Sequence, residues 1–366
     1  MERTAHRLYQ RLVQEKKFLL ILDDVWETID LDYLGVPQPE DHKGCKLILT
    51  SRSRDVCRQM KTDAEVKVDT LNEEESWQLF AQNAGKVASL EGIEPFAKAV
   101  SRECRGLPLA IIIVGASMRG KTMVELWKDA LNALQRSIPH INGIQDKVYK
   151  LLKWSYDSLQ GMDIKSCFLY CSLYPEDFSI EVKELVQCWV AEGLIDDQLG
   201  RYEDSMNRGI AMVEYLKDCS LLEQGDFEGS TVKMHDVVRD VAVWIATSLE
   251  DGCKSLVRSG IGLNDISEEA TLMLKSLKRV SFMENKLTRL PESVMHCPEA
   301  STLLLQGNFL LEKVPEEFLL GFQVLRVLNL SETRIHALPF SLNQLGELRA
   351  LLLRGCQNLK ELPPVG

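Results

Sequence analysis

Four prolines stand at positions 291, 315, 339 and 363, each directly after an apolar residue: Leu290, Val314, Leu338 and Leu362. The period is 24 residues throughout. Ahead of each proline lie paired apolar positions two residues apart, Val280/Phe282, Leu303/Leu305, Leu328/Leu330 and Leu351/Leu353. A unit this short cannot bury its own apolar face, so such units are stable only when stacked. Residues 277–366 are therefore expected to coil into a solenoid with one short strand and one return segment per turn. The pattern stops at Gly366 without a polar closing unit, which leads us to expect a truncated array.

A different signal dominates the other end of the chain. Residues 18–22 (FLLIL) form an apolar run that reads as a fully buried strand of a parallel sheet. Asp23 and Asp24 follow it, and in open α/β sheets ligands gather at the carboxyl ends of strands. This is the Walker B arrangement, in which one acid supports Mg²⁺ and the next orients a water. Packing alone would explain it as a core strand ending in a solvated turn. A second run, residues 45–49 (CKLIL), ends in Thr50, Ser51 and Arg52, and an arginine there can reach a terminal phosphate. The bland alternative pairs Arg52 with Asp55. Residues 1–17 carry Leu8, Leu12 and Val13 at helical spacing, so a segment upstream of Met1 is expected to be absent.

The middle of the chain is helical in period. Asn72 and Glu75 form a capping-box pattern ahead of Trp77, Phe80, Ala81 and Ala84. Phe96, Val100 and Cys104 repeat the stripe, and Gly106, Leu107 and Pro108 then break one helix from the next. Further helices are expected around residues 125–134, 148–156, 167–173, 182–191 and 206–219. A hairpin with a turn between Gly225 and Gly229 runs into Met234, His235 and Asp236, where another helix begins. Helices, a two-stranded wing and a helix suggest a winged-helix module.

One motif match is rejected. Gly115, Gly120, Lys121 and Thr122 satisfy the P-loop pattern GxxxxGK[ST] to the letter. The match lies far downstream of the Walker B strand, lacks further glycines, and follows a run (residues 107–114) that reads as well as a buried helix. It is taken as a decoy.

Composition narrows the function classes. The net charge of −11 argues against a general nucleic-acid binder, which needs a basic footprint. The ten cysteines are scattered without a CxxC pair, as expected of reduced thiols in a cytosolic protein. The longest apolar run, residues 107–114, is too short to span a bilayer.

Together, residues 18–26 (FLLILDDVW), 46–52, 106–110 (GLPLA), 167–177 (CFLYCSLYPED) and 234–236 (MHD) resemble, in order and spacing, the NB-ARC module of plant nucleotide-binding leucine-rich-repeat disease-resistance proteins. Trp26 and the CFLYCSLYPED form are similar to the coiled-coil subclass. The resemblance implies a multidomain α/β plus α fold. A partial parallel-sheet nucleotide-binding subdomain without its P-loop would occupy residues 1–70, and a helical subdomain 71–160. A winged-helix subdomain would occupy 161–250, a linker 251–276, and about four leucine-rich repeats 277–366.

The resemblance also implies roles for individual residues. Asp23 would support Mg²⁺ and Asp24 would stand near the hydrolytic water of a slow switch ATPase. Arg52 would sense the γ-phosphate, and Thr50 would also bind the nucleotide. Gly106, Leu107 and Pro108 would line the nucleotide site, with Pro108 against adenine. His235 would touch the ADP β-phosphate and latch the winged helix, with Asp236 as its structural companion. ADP and ATP with Mg²⁺ are the implied cofactors, bound weakly or not at all without the P-loop, so the chain itself is not expected to be an active enzyme. The implied partners are a pathogen effector or guarded host protein at the repeats, and self-association, in the cytoplasm or at the inner face of the plasma membrane through partners. The alternative reading is a repeat-based interaction adaptor that ignores nucleotide.

Overall fold

The computed structural model describes residues 2–23, 25, 27–37, 42–51, 54–136, 144–195, 202–248, 254–266 and 276–362. The chain divides into two compact units, Met1–Asp69 and Thr70–Gly366.

The first unit runs α1 (Glu2–Gln14), β1 (Phe18–Leu22), α2 (Leu31–Leu34), β2 (Cys45–Leu49) and α3 (Arg54–Gln59). β1 and β2 pair in parallel, from Phe18 opposite Cys45 to Leu22 opposite Leu49. α2 starts on Asp30, whose carboxylate accepts from the Tyr33 amide at 3.0 Å, and stops at Gly35 in the left-handed region. Gly35 is required there twice over, because a Cβ would also lie 2.0 Å from the Ala5 carbonyl oxygen of α1. The expectation of a fully buried β1 is not met. Leu20, Leu22, Leu47 and Leu49 are half-buried, while Leu19, Ile21 and Ile48 are 55%, 58% and 49% exposed. Strands alternate their side chains between faces, and only one face of this two-stranded sheet is covered.

The second unit opens with α4 (Glu73–Ala84), α5 (Glu94–Glu103), α6 (Pro108–Met118), α7 (Val124–Arg136) and α8 (Ile144–Asp157). The capping box at α4 is formed in both directions, Asn72 accepting from the Glu75 amide and Glu75 from the Asn72 amide. Phe80, Val100, Ile111, Trp127 and Leu134 are fully buried between these helices.

Next come α9 (Met162–Cys171), β3 (Ile180–Glu181), α10 (Val182–Glu192), α11 (Tyr202–Asp218), β4 (Glu223–Gln224), β5 (Thr231–Lys233) and α12 (Asp236–Ser248). The three short strands form an antiparallel sheet in the order β3-β5-β4, so the wing gains a third strand from the segment ahead of α10. Phe168, Leu185, Trp189, Val213, Leu216 and Val238 share one apolar core.

Beyond α12 the chain climbs a parallel ladder of β6 (Lys254–Val257), β7 (Leu277–Ser281), β8 (Thr302–Leu304), β9 (Val327–Asn329) and β10 (Ala350–Leu352). Val280, Leu303, Leu328 and Leu351 stand side by side across the strands, so the spacing read from sequence becomes one inward row. Asn308 ties neighbouring turns together by donating to the carbonyls of Phe282 (2.9 Å) and Leu305 (2.7 Å). One boundary needs correction. Residues 251–276 were expected to be linker, yet Lys254–Val257 pairs in parallel with β7 as the first rung of the ladder. Its four residues are too few to show a period of their own.

Candidate functional site

In the first unit the parallel register brings the ends of β1 and β2 together. The Thr50 amide donates to the Leu22 carbonyl (2.9 Å), the Val25 amide to the Thr50 carbonyl (2.8 Å), and the Ser51 hydroxyl to the Val25 carbonyl (2.7 Å). Within this frame the Thr50 hydroxyl donates to a carboxylate oxygen of Asp23. Both side chains are exposed, whereas Val25 is buried beneath the turn. A carboxylate held beside a hydroxyl is a hard-oxygen pair of the kind Mg²⁺ takes, usually with phosphate and water completing the shell. No group of three His, Cys, Asp or Glu side chains able to cage a metal occurs among the described residues. Asp24 and Arg52 lie outside the described residues.

Gly106 and Pro108 are placed by backbone chemistry. Gly106 has φ +73°, and its carbonyl accepts from the Leu71 amide at 2.9 Å. A Cβ there would lie 2.2 Å from the Leu71 carbonyl oxygen, so glycine is needed for both conformation and space. Leu107 is the extended residue ahead of α6, and Pro108 takes its first position, where no amide hydrogen is required. Pro108 is exposed and Leu107 half-buried. Gly106 borders a cleft of about 370 Å³ with Leu71, Trp77, Lys98, Arg102 and Arg105 on its walls. The Lys98 ammonium sits 5.3 Å from the Trp77 ring centre.

His235 immediately precedes α12. Its Nδ1 accepts from the Val237 amide at 3.2 Å, in the position a capping oxygen would take. That bond fixes Nδ1 as the acceptor, so a neutral ring carries its proton on Nε2. The exposed ring therefore offers one N–H donor. Four residues on, Arg239 anchors the same helix turn. Its Nε donates to the Tyr174 carbonyl (2.6 Å), its Nη2 to the Ser259 hydroxyl (3.1 Å), and its Nη1 stands 3.6 Å from Glu176. Burial pulls the Arg239 pKa down, opposed by Glu176, Asp240 and Asp236. Burial also raises the Glu176 pKa against the pull of Arg239, with Asp236, Asp240 and Asp177 adding to the rise.

The first half of the P-loop look-alike is helix. Gly115 and Met118 lie within α6, whose interior amides are already spent on the helix. Gly115 serves packing instead, since a Cβ would meet the Asn83 Cβ at 3.0 Å and the Phe80 carbonyl oxygen at 3.2 Å on α4. The Lys121 ammonium lies 5.8 Å from the Trp154 ring centre and 3.8 Å from the Met118 sulfur, and burial pulls its pKa down. Lysine placed against a ring and a thioether is poorly disposed to grip phosphate.

Two residues central to this architecture, Arg239 and Glu192, carry no motif. The only hint for Arg239 was a charge within the otherwise apolar stripe of Val237, Val238, Val241 and Ile245.

Two known domain families match segments of the chain. The NB-ARC domain matches residues 1–89, and the disease resistance protein winged helix domain matches residues 173–242. The chain therefore carries the NB-ARC and winged-helix domains of disease-resistance proteins. It is 55% identical over 314 residues to disease resistance protein At4g27190 of Arabidopsis thaliana, covering 86% of this chain and 31% of that protein. It is also similar to the Arabidopsis thaliana disease resistance proteins RPS5 (40% over 300 residues; 81% of this chain, 33% of that protein) and SUMM2 (40% over 299 residues; 80% and 33%). The chain spans about a third of the length of these relatives. Among the described residues no helix is long and apolar enough to cross a membrane.

Proposed function

We propose that this chain forms part of a plant immune receptor whose NB-ARC region binds ADP or ATP with Mg²⁺ and uses the exchange as a conformational switch. The observation that carries this reading is the capped imidazole of His235. Its Nδ1 is engaged by the Val237 amide, and Nε2 is left as a donor for a β-phosphate oxygen. Asp23, paired with Thr50, supplies the oxygen pair suited to Mg²⁺. Asp24 orients the hydrolytic water and Arg52 reads the γ-phosphate, as the family resemblance implies, and Pro108 packs against adenine. Such a switch draws its free energy from unequal affinity of its two states for the two nucleotides.

The ladder β6–β10 is a leucine-rich-repeat solenoid in this reading, and the partner is a pathogen effector or a guarded host protein met in the cytoplasm. With the first half of the P-loop match inside α6 and Lys121 held against Trp154, that segment offers few phosphate contacts, and the chain binds nucleotide only weakly. The engagement of Lys121 with Trp154 and Met118 rather than with a phosphate cradle favours a second reading, an adaptor that works through its repeats without nucleotide.

Calorimetric titration of ADP with Mg²⁺ separates the two. The switch reading expects millimolar affinity that is lost in His235→Ala and Asp23→Ala and kept in Lys121→Ala. Absence of any heat of binding at those concentrations, with the chain folded, would leave the adaptor reading standing.

A further inference from the structure

We infer that Glu192 locks the winged helix onto the parallel ladder in one register, making α9–α12 and β6–β10 a single rigid body whose outward strand face is closed to other partners at β7–β9. The inference does not depend on the nucleotide reading. α10 lies across the strands, and three successive rungs reach its last residue. Arg279 of β7 donates through Nε to Glu192 Oε1 (2.7 Å), and Thr302 of β8 donates through its hydroxyl to Glu192 Oε2 (2.7 Å). Arg326, just ahead of β9, donates through Nη1 to the Glu192 carbonyl (2.9 Å). At the other end of α10, Asn329 donates to Glu184 (3.2 Å), and Arg354 pairs with Glu181 (2.5 Å). Between these polar ends, Met283, Leu304 and Val327 of the ladder belong to the same apolar cluster as Phe168, Leu185 and Trp189.

The ion pair decides register. Apolar contacts alone discriminate poorly among rungs of a repeat, because equivalent positions carry similar side chains. The outward position held by Arg279 in β7 is occupied by Thr302, Val327 and Ala350 in the next three rungs. Only one placement of α10 therefore gives the arginine its carboxylate. The Arg279 and Glu192 side chains are 5% and 6% exposed, with the guanidinium 5.4 Å from the Tyr170 ring centre. A slip by one rung would strand a buried charge, a far larger loss than the pair itself contributes. The outward residues of β7–β9 are thus spent on an internal contact. A partner of the repeats must use their loops or the open outward end at β10.

Hydrogen exchange on the purified chain across a denaturant series tests this. Amides of α10 and of β7–β9 should open together, with one shared denaturant dependence. Glu192→Ala should speed exchange in both segments by about a hundredfold or more while α4–α7 stay as they were, because one charge of a buried pair is orphaned. The double replacement Glu192→Met with Arg279→Met should restore protection to within about tenfold. Separate denaturant dependences for α10 and the strands in the unaltered chain, or a Glu192→Ala effect confined to one side or missing altogether, would overturn the inference. If Glu192→Ala does not fold, the unaltered chain's denaturant dependence decides alone.

Discussion

Two parallel sheets in this chain are built from similar apolar strands and meet opposite fates. In the ladder, Val280, Leu303 and Leu328 are fully buried on the inward row, and Leu304 and Val327 are fully buried on the outward one. In the first unit, Leu19, Ile21 and Ile48 remain about half exposed, and the buried apolar side chains among the described residues are Val25, Val36, Pro37 and Val56. The difference lies in the layers rather than the strands. The ladder is covered inside by its own return segments and outside by α10, whereas β1 and β2 are covered on one face. Val66 and Val68, at 88% and 92% exposed, extend the contrast to the end of the first unit. An apolar strand is therefore evidence that cover is needed, and other elements determine whether it is provided.

The largest effect should separate the two regions at their cores. Trp189→Ala removes a fully buried ring from the second unit and should cost about 3–5 kcal/mol. Leu20→Ala, at a half-buried site in β1, should cost less than about 2 kcal/mol. Urea unfolding followed by circular dichroism would compare them, and equal costs would break the contrast.

A middle-sized effect concerns glycine inside the second unit. Gly106 and Gly120 both have φ +73°, but only Gly106 has a carbonyl oxygen where its Cβ would go. Gly120→Ala should lose about 1 kcal/mol for conformation alone. Gly106→Ala should lose about 2–3 kcal/mol, because Leu71 must also move. Matching losses in thermal unfolding would mean that the α4–α6 approach is looser than described.

The smallest effect is one of pH. Burial holds the Glu184 carboxyl above its ordinary value of 4.5, with Arg354 pulling the other way. The folded chain then binds this proton more tightly than the unfolded chain does. Stability from this group is therefore greatest below 4.5, falls as pH rises through the raised value, and is level above it. Glu184→Gln should remove that decline, so its stability relative to the unaltered chain should grow as pH rises across the window. A difference curve that is flat with pH would refute the assignment.

Much of this was legible in advance, for physical reasons that differ by region. The repeat, 24 residues between its prolines, is legible because every turn must present the same inward row, whose strands step by 23 to 25 residues. The capping box at Asn72 and Glu75 is local chemistry and formed as expected. Contacts between distant segments were not legible. Glu192 and Arg279 are 87 residues apart, and nothing local to either names the other. A charged side chain in a strand that otherwise follows the repeat was the available sign. The burial of β1 was overestimated because a run of apolar residues reports a demand for cover without saying whether both faces receive it. The resemblance pointed to His235, but its role as a cap, and hence its tautomer, needed the position of the Val237 amide.

The most direct test of the account is differential hydrogen exchange with and without ADP and Mg²⁺ at millimolar concentration. The account predicts slower exchange at the Val25 and Thr50 amides and at the Val237 amide of α12, with the effect removed by His235→Ala. Unchanged exchange at all three amides, in a chain whose ladder and helices are otherwise protected, would contradict a nucleotide role for these residues.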